Sequence, residues 1–275
     1  MIGKSVRTVC LAGLAVIGFG TLVAMAAPAQ NDDPWPQLKR QVFKNQPLAD
    51  GSGLIALDMP YRAEDAAVVP LTVRATLPAG DKRHVKRLTI VIDHNPSPVA
   101  ASFTFGAKAD ISAISTRVRV NSYTNVHAVA ELSDGKLYVV KRFVKAAGGC
   151  SAPAIKDASA AKIGIGAMRF RQLVPAAASP GRTRQAQIMI RHPNNSGLQM
   201  NQITHLYIPP FFVKDLKVWQ GKELVLAMDG GISISENPSI RFTYRSNGGK
   251  AFRAQAVDTK DHVYKGEWPA ARSGT

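Results

Sequence analysis

The chain has 275 residues, 45% of them apolar, with 35 basic residues against 19 acidic and a formal charge of +16. That is enough apolar material for one or two packed domains, while the low aromatic content and the lack of a long helical period exclude a coiled coil or helical array. A basic chain favours acidic partners or anionic surfaces. This charge is spread without a polybasic tail and no nucleic-acid motif accompanies it, so nucleic acid is not expected as a partner.

Residues 1–27 read as a secretory signal peptide. Lys4 and Arg7 precede an apolar run from Val9 to Ala27, and Ala24-Met25-Ala26 supplies the small residues before a cleavage site. No twin arginine is present, which favours the general secretory route to the periplasm. An uncleaved membrane anchor is the alternative. Cleavage removes Lys4, Arg7 and Cys10, leaving +14 and Cys150 as the single cysteine of the mature chain. Such a cysteine forms no internal disulfide. It is buried and inert, paired between molecules, or reactive.

A short helix is expected within 31–45. Asp32 or Asp33 caps it, Pro34 sits in its first turn, and Trp35, Leu38 and Val42 share a face. Residues 46–53 read as a turn. Short alternating segments follow at 54–61, 68–75, 87–93, 99–105, 115–120, 125–132 and 136–144, with Ser133-Asp134-Gly135 as a hairpin signal. This is the pattern of an antiparallel sandwich. A second series covers 167–173, 184–191, 211–219, 223–229, 238–244, 250–258 and 263–268. Asn247-Gly248-Gly249 reads as a hairpin between two of its strands. The expected architecture is all-β: two immunoglobulin-like antiparallel sandwiches, at 28–145 and 162–275.

Between them lies a stretch rich in Ala, Gly and Ser, at 146–161. Gly148 and Gly149 stand before Cys150, with Ser151, Ala152 and Pro153 after it. Glycines are poor strand residues and proline cannot donate to a ladder, so this stretch reads as a flexible arm with its thiol outside any core. A plain linker needs no cysteine, and a lone exposed thiol in an oxidising compartment is a liability, which points to a functional sulfur. From Val144 to Cys150 the arm reaches about 20 Å at most. Lys145 and Lys156 lower the thiol pKa if they come close.

Other chemistry is thin. The six histidines show no metal-site spacing, so no metal is expected, and no catalytic residue is assigned, since a Cys–His pair on a mobile arm is poorly organised. His127 falls inside a strand as a structural residue. Asn194-Asn195-Ser196 matches a glycan acceptor pattern, which is a weak signal.

The run from Ala128 through Glu131-Leu-Ser-Asp-Gly-Lys-Leu-Tyr138 to Gly148-Gly149-Cys150 resembles the SoxY sulfur carrier, as do Asp93-His-Asn-Pro-Ser-Pro98 and Ser115-Thr-Arg-Val-Arg119. Ile190-Arg-His-Pro193, the segment 211–219 and Ser235-Glu-Asn-Pro-Ser239 resemble its partner SoxZ. The whole is similar to fused SoxY–SoxZ carriers, above all to those encoded beside quinoprotein dehydrogenases. The resemblance implies two packed immunoglobulin-like sandwiches and a non-enzymatic periplasmic carrier. Cys150 would bear sulfur intermediates, and Gly148, Gly149, Ser151 and Pro153 would form the arm. No cofactor is implied beyond a covalent sulfur adduct. The implied partners are periplasmic oxidoreductases, either Sox-type enzymes or a quinoprotein dehydrogenase with its cytochrome c. The chain departs from the family in that the arm does not end it: Ser151 and Ala152 follow Cys150 and a second half begins. The other functions open to the residues are a binding or maturation accessory with a dispensable cysteine, and a thiol-dependent enzyme.

Overall fold

The computed structural model describes residues 33–152, 163–173 and 183–271. The expected signal segment, Cys10, Pro153 and Lys156 lie outside the described residues.

Helix α1 (Trp35–Phe43) forms where it was expected. Asp33 Oδ1 accepts the Trp35 N–H at 3.1 Å, tying down one of the first-turn donors that the helix leaves unpaired. Lys44 closes the helix in the left-handed conformation, φ 50°. Phe43 is buried, and Trp35, Leu38 and Val42 pack with it onto Val91, Val129 and Leu137.

Fifteen strands follow among the described residues. In the first half these are β1 (Leu48–Asp50), β2 (Ile55–Asp58), β3 (Val69–Ala75), β4 (Val85–Ile92), β5 (Val99–Phe105), β6 (Ala113–Val118), β7 (Thr124–Leu132) and β8 (Leu137–Val144). The second half adds β9 (Met168–Leu173), β10 (Thr183–Ile190), β11 (Val213–Gln220), β12 (Glu223–Gly230), β13 (Ser239–Arg245), β14 (Ala251–Asp258) and β15 (Val263–Pro269). Strands such as β3, β6 and β10 alternate buried and outward residues, burying Val69, Leu71 and Val73, then Ile114 and Val118, then Ala186, Ile188 and Ile190. That period-two pattern places one face of each strand on the core.

The two expected sandwiches are present as two halves, and their sheets run into one another. One nine-stranded sheet has the order β1-β8-β7-β4-β5-β12-β11-β14-β15, and a six-stranded sheet has the order β2-β3-β6-β13-β10-β9. The seam is an antiparallel pairing of β5 with β12, Phe105 opposite Leu226 and Phe103 opposite Met228, and a shorter pairing of β6 with β13. Lys108 to Glu223 at 2.7 Å and Arg245 to Asp110 at 2.6 Å cross the same seam at the surface.

Two local expectations are corrected. Residues 46–53 hold not only a turn but β1, whose parallel pairing with β8 is a long-range event. Asn247-Gly248-Gly249 does turn the chain, with Gly248 at φ 78°. It is no hairpin, however: β13 and β14 lie in different sheets, so the turn is an arch from one layer to the other.

Candidate functional site at Cys150

Strand β8 ends at Val144, and the chain then runs back along the seam instead of leaving the surface. Lys145 N donates to Tyr61 O at 2.7 Å and its carbonyl accepts from Ala63 N at 3.1 Å. Gly148 N donates to Asn121 O at 2.9 Å and Gly149 N to Val120 O at 3.0 Å. Arg119 Nη1 donates to Gly149 O at 3.1 Å, and Ser196 Oγ donates to the Cys150 carbonyl. A tight turn, Ala152 N to Gly148 O at 2.9 Å, closes over the cysteine. Gly148 takes φ +77°, which favours glycine. Gly149 is required by space: a Cβ there would run into the Ala66 carbonyl and lie 2.6 Å from the oxygen of Val120.

Cys150 is therefore 0% exposed. This overturns the expectation of a thiol outside any core. Of the arm's described residues Ala146, Gly149 and Cys150 are buried, and the two glycines that read as looseness serve a left-handed turn at Gly148 and a close backbone approach at Gly149. Within the turn Ser151 is exposed and Gly148 and Ala152 are half-buried. Lys145 is fixed on Tyr61, its Nζ 5.0 Å from the ring centroid, and does not set the thiol's charge. Burial pushes the thiol pKa up to about 11, against a smaller downward pull from the Arg119 guanidinium. At neutral pH such a thiol is a thiolate in roughly one molecule in ten thousand, against a few per cent for an ordinary cysteine. The docked sulfur is both inaccessible and protonated.

Arg119 is itself fully buried, and burial pushes its own pKa down while Glu236, Cys150 and Asp65 pull it up. It remains a cation. Its Nη2 reaches the carbonyl of Asn194 at 3.4 Å, so one guanidinium ties the arm to the second half. Asn95 braces the same place: its Nδ2 donates to Arg119 O at 2.7 Å and to Ser233 Oγ at 2.8 Å, and its Oδ1 accepts from Asn121 N at 2.8 Å. Ser196 and Asn194 were legible only as a glycan acceptor pattern. Both are buried, and Asn194 Oδ1 accepts from Val213 N at 3.2 Å, so the folded chain leaves no room for a glycan there.

The histidines stand elsewhere. His127 lies in β7 with its Nδ1 2.9 Å from Asp93 Oδ1, and Trp35 of α1 stacks on its ring at 3.6 Å. That is a structural setting, as expected. His192 accepts the N–H of Asn194 on Nδ1 at 3.1 Å, which fixes its proton on Nε2, and burial pushes its pKa down. No group of three metal-binding side chains occurs among the described residues.

The comparisons with known proteins divide the chain where the seam divides it. Residues 39–150 match the model of the sulfur oxidation protein SoxY, and residues 171–269 match that of the sulphur oxidation protein SoxZ. The chain belongs to the SoxYZ family, with both partners fused. The SoxY match ends on Cys150. Family membership makes this a sulfur-oxidation carrier whose relatives work with Sox-type enzymes. No match is found among curated proteins. Among solved structures, the sulfur carrier protein SoxY from Chlorobium limicola f thiosulfatophilum is 27% identical, with 41% of this chain and 91% of that one covered and a TM-score of 0.35. A superoxide reductase (neelaredoxin) from Ignicoccus hospitalis is 9% identical over 33% of this chain and 78% of its own, with a TM-score of 0.29.

Proposed function

We propose that Cys150 is the attachment point for sulfur intermediates in a periplasmic carrier, and that the docked arm is its resting form. The supporting observation is the coincidence of the SoxY match's final residue with the one free cysteine among the described residues, held by a Gly-Gly turn. To load, the arm leaves the seam and the thiol regains an ordinary pKa near about 8.5. Its thiolate then attacks an oxidised sulfur, breaking a sulfur–sulfur bond and releasing the leaving sulfur as a thiolate. Coupling to a sulfur anion instead is a two-electron oxidation, with both electrons and the thiol proton passing to the partner oxidoreductase. On redocking, the buried Arg119 stands ready to balance an anionic adduct.

Four hydrogen bonds hold the closed arm: from Gly148 N, Gly149 N, Arg119 Nη1 and Ser196 Oγ. At about 1 kcal/mol each they sum to roughly 4 kcal/mol, which leaves the open form at about one molecule in a thousand. That is rare enough to protect the sulfur and common enough to be captured. The partners in this reading are periplasmic oxidoreductases, Sox-type enzymes or a quinoprotein dehydrogenase with its cytochrome c.

The test is the intact mass of the protein isolated from its native periplasm, with and without reductant. A reductant-labile excess mapping to Cys150 supports the carrier. A bare thiol under all growth conditions, with full function retained in Cys150→Ser, sinks it. Complete burial of the sulfur favours that second outcome's reading, in which Cys150 is a small core residue of a binding or maturation accessory.

A further inference from the structure

Ser196, which holds the arm, stands at the root of a projecting finger. Asn195 pairs with Phe211, Ile208 N donates to Gln199 O at 2.8 Å, and Met200 pairs with Tyr207. Asn201 N donates to Leu206 O at 2.9 Å. The tip is built rather than loose: Asn201 Oδ1 accepts from Ile203 N at 2.9 Å and Thr204 N at 3.0 Å, and His205 turns the chain at φ 54°. This defined tip points apolar groups at water. Ile203 is 88% exposed, Leu206 68% and Tyr207 66%, with Met200 beside them. Isolated surface apolar residues are ordinary; a cluster held out on one ordered turn marks a contact.

The composition says what kind of contact. Between Arg191 and Lys214 the chain has no Lys, Arg, Asp or Glu, although it carries 35 basic and 19 acidic residues in all. A finger that enters a membrane surface is usually flanked near its tip by lysine or arginine reaching the headgroups, and this one has none. An uncharged apolar tip on a basic protein suits a protein partner with an apolar pocket and an acidic surround.

The root of the finger says which partner. Ser196 N donates to Gln199 Oε1 at 2.8 Å, and Leu198 N donates to Ser196 Oγ at 3.2 Å. The residue that grips the Cys150 carbonyl is thus hydrogen-bonded into the same short ribbon that carries the tip. In the gripping state the buried Gln199 Nε2 has no hydrogen-bond partner in the protein, so that state carries an uncompensated donor. A shift of the ribbon can relieve it.

We propose that residues 195–211 are the docking finger for the enzyme that acts on Cys150, seating Ile203, Leu206 and Tyr207 in its apolar pocket and drawing Ser196 off the cysteine carbonyl. The inference rests on the carrier role of Cys150. It makes release of the arm depend on the arrival of the enzyme that needs it.

The test places the photo-crosslinking residue p-benzoylphenylalanine at position 203 of the full chain in its native cell. The crosslinked oxidoreductase is identified and purified, and its rate of modifying Cys150 is measured on the parent chain and on a triple variant, Ile203→Asn with Leu206→Asn and Tyr207→Asn. The rate is expected to fall at least tenfold in the triple variant while its thermal midpoint stays within a few degrees. Bound enzyme should also raise maleimide labelling of Cys150 about fivefold in the parent chain only, the effect of losing one neutral hydrogen bond. Equal modification of parent and variant overturns the finger and leaves the carrier standing. A crosslink only to a second copy of this chain, or only to lipid, overturns it as well. Absence of any adduct or modifying enzyme for Cys150 removes the carrier reading itself.

Discussion

Ser196 donates its hydroxyl to the backbone carbonyl of Cys150, and the two residues belong to opposite halves of the chain. The latch on the sulfur therefore lies across the seam. Ser196→Ala removes one neutral hydrogen bond, a net loss of about 1 kcal/mol. Maleimide labelling of Cys150 under native conditions should rise about fivefold. The thermal midpoint should drop by only about 2–4 °C. An unchanged labelling rate would show that the latch does not control access.

Gly149→Ala should act more strongly. The added methyl group has no place between the carbonyls of Ala66 and Val120. The arm cannot seat, so Cys150 should label at the rate of an unhindered thiol, on the order of a hundredfold faster or more given a resting hold of roughly 4 kcal/mol. Labelling as slow as in the parent chain would mean that the docked geometry is wrong.

The pH dependence has a definite sign. The docked thiol titrates near 11 because burial disfavours the thiolate, whereas the released arm titrates near about 8.5. Docking is therefore fully favoured below about pH 8.5 and is progressively lost as pH rises toward 11. The labelling rate should keep climbing about tenfold per pH unit from 9 to 10, where an exposed cysteine has already levelled off. A plateau by pH 9 would contradict the buried state. In Gly149→Ala the plateau should return to about 8.5–9.

Trp35→Ala separates stability from gating. It removes the stack on His127 and the edge contact with Phe43 at 6.4 Å that fasten α1 to the sheet. Trp35 is only half-buried, so the loss should be about 2 kcal/mol, below the usual range for a core Trp→Ala change. Urea melts should show a lower midpoint with Cys150 labelling in native buffer unchanged, because none of the arm's hydrogen bonds involves α1.

Most strands were legible because each buries one face and so alternates. Val69, Leu71 and Val73, or Ala186, Ile188 and Ile190, announce themselves without any knowledge of partners. What a strand pairs with is not written locally. Asn247-Gly248-Gly249 has the composition of a hairpin and makes an arch, because the choice between folding back in one layer and crossing to the other depends on β11 and β6. Three-residue β1 exists only through β8. The site was half-legible. Cys150 stood out by its isolation and by the Gly-Gly before it, yet its burial did not, since glycine serves both a mobile linker and a tightly packed turn. Arg119, Asn95 and Ser196 fell inside recognisable motifs, but only the seam gives them their task, and the seam joins residues far apart in sequence.

The pairing of β5 with β12 bears on how the molecule comes into being. Two separately made subunits would each expose an unfinished ladder until they met, a hazard for aggregation. Tethering the two halves turns that bimolecular search into an intramolecular one, at an effective local concentration of order millimolar. Stoichiometry is then fixed at one to one by the gene itself, and no orphan half is left for the cell's proteases to clear.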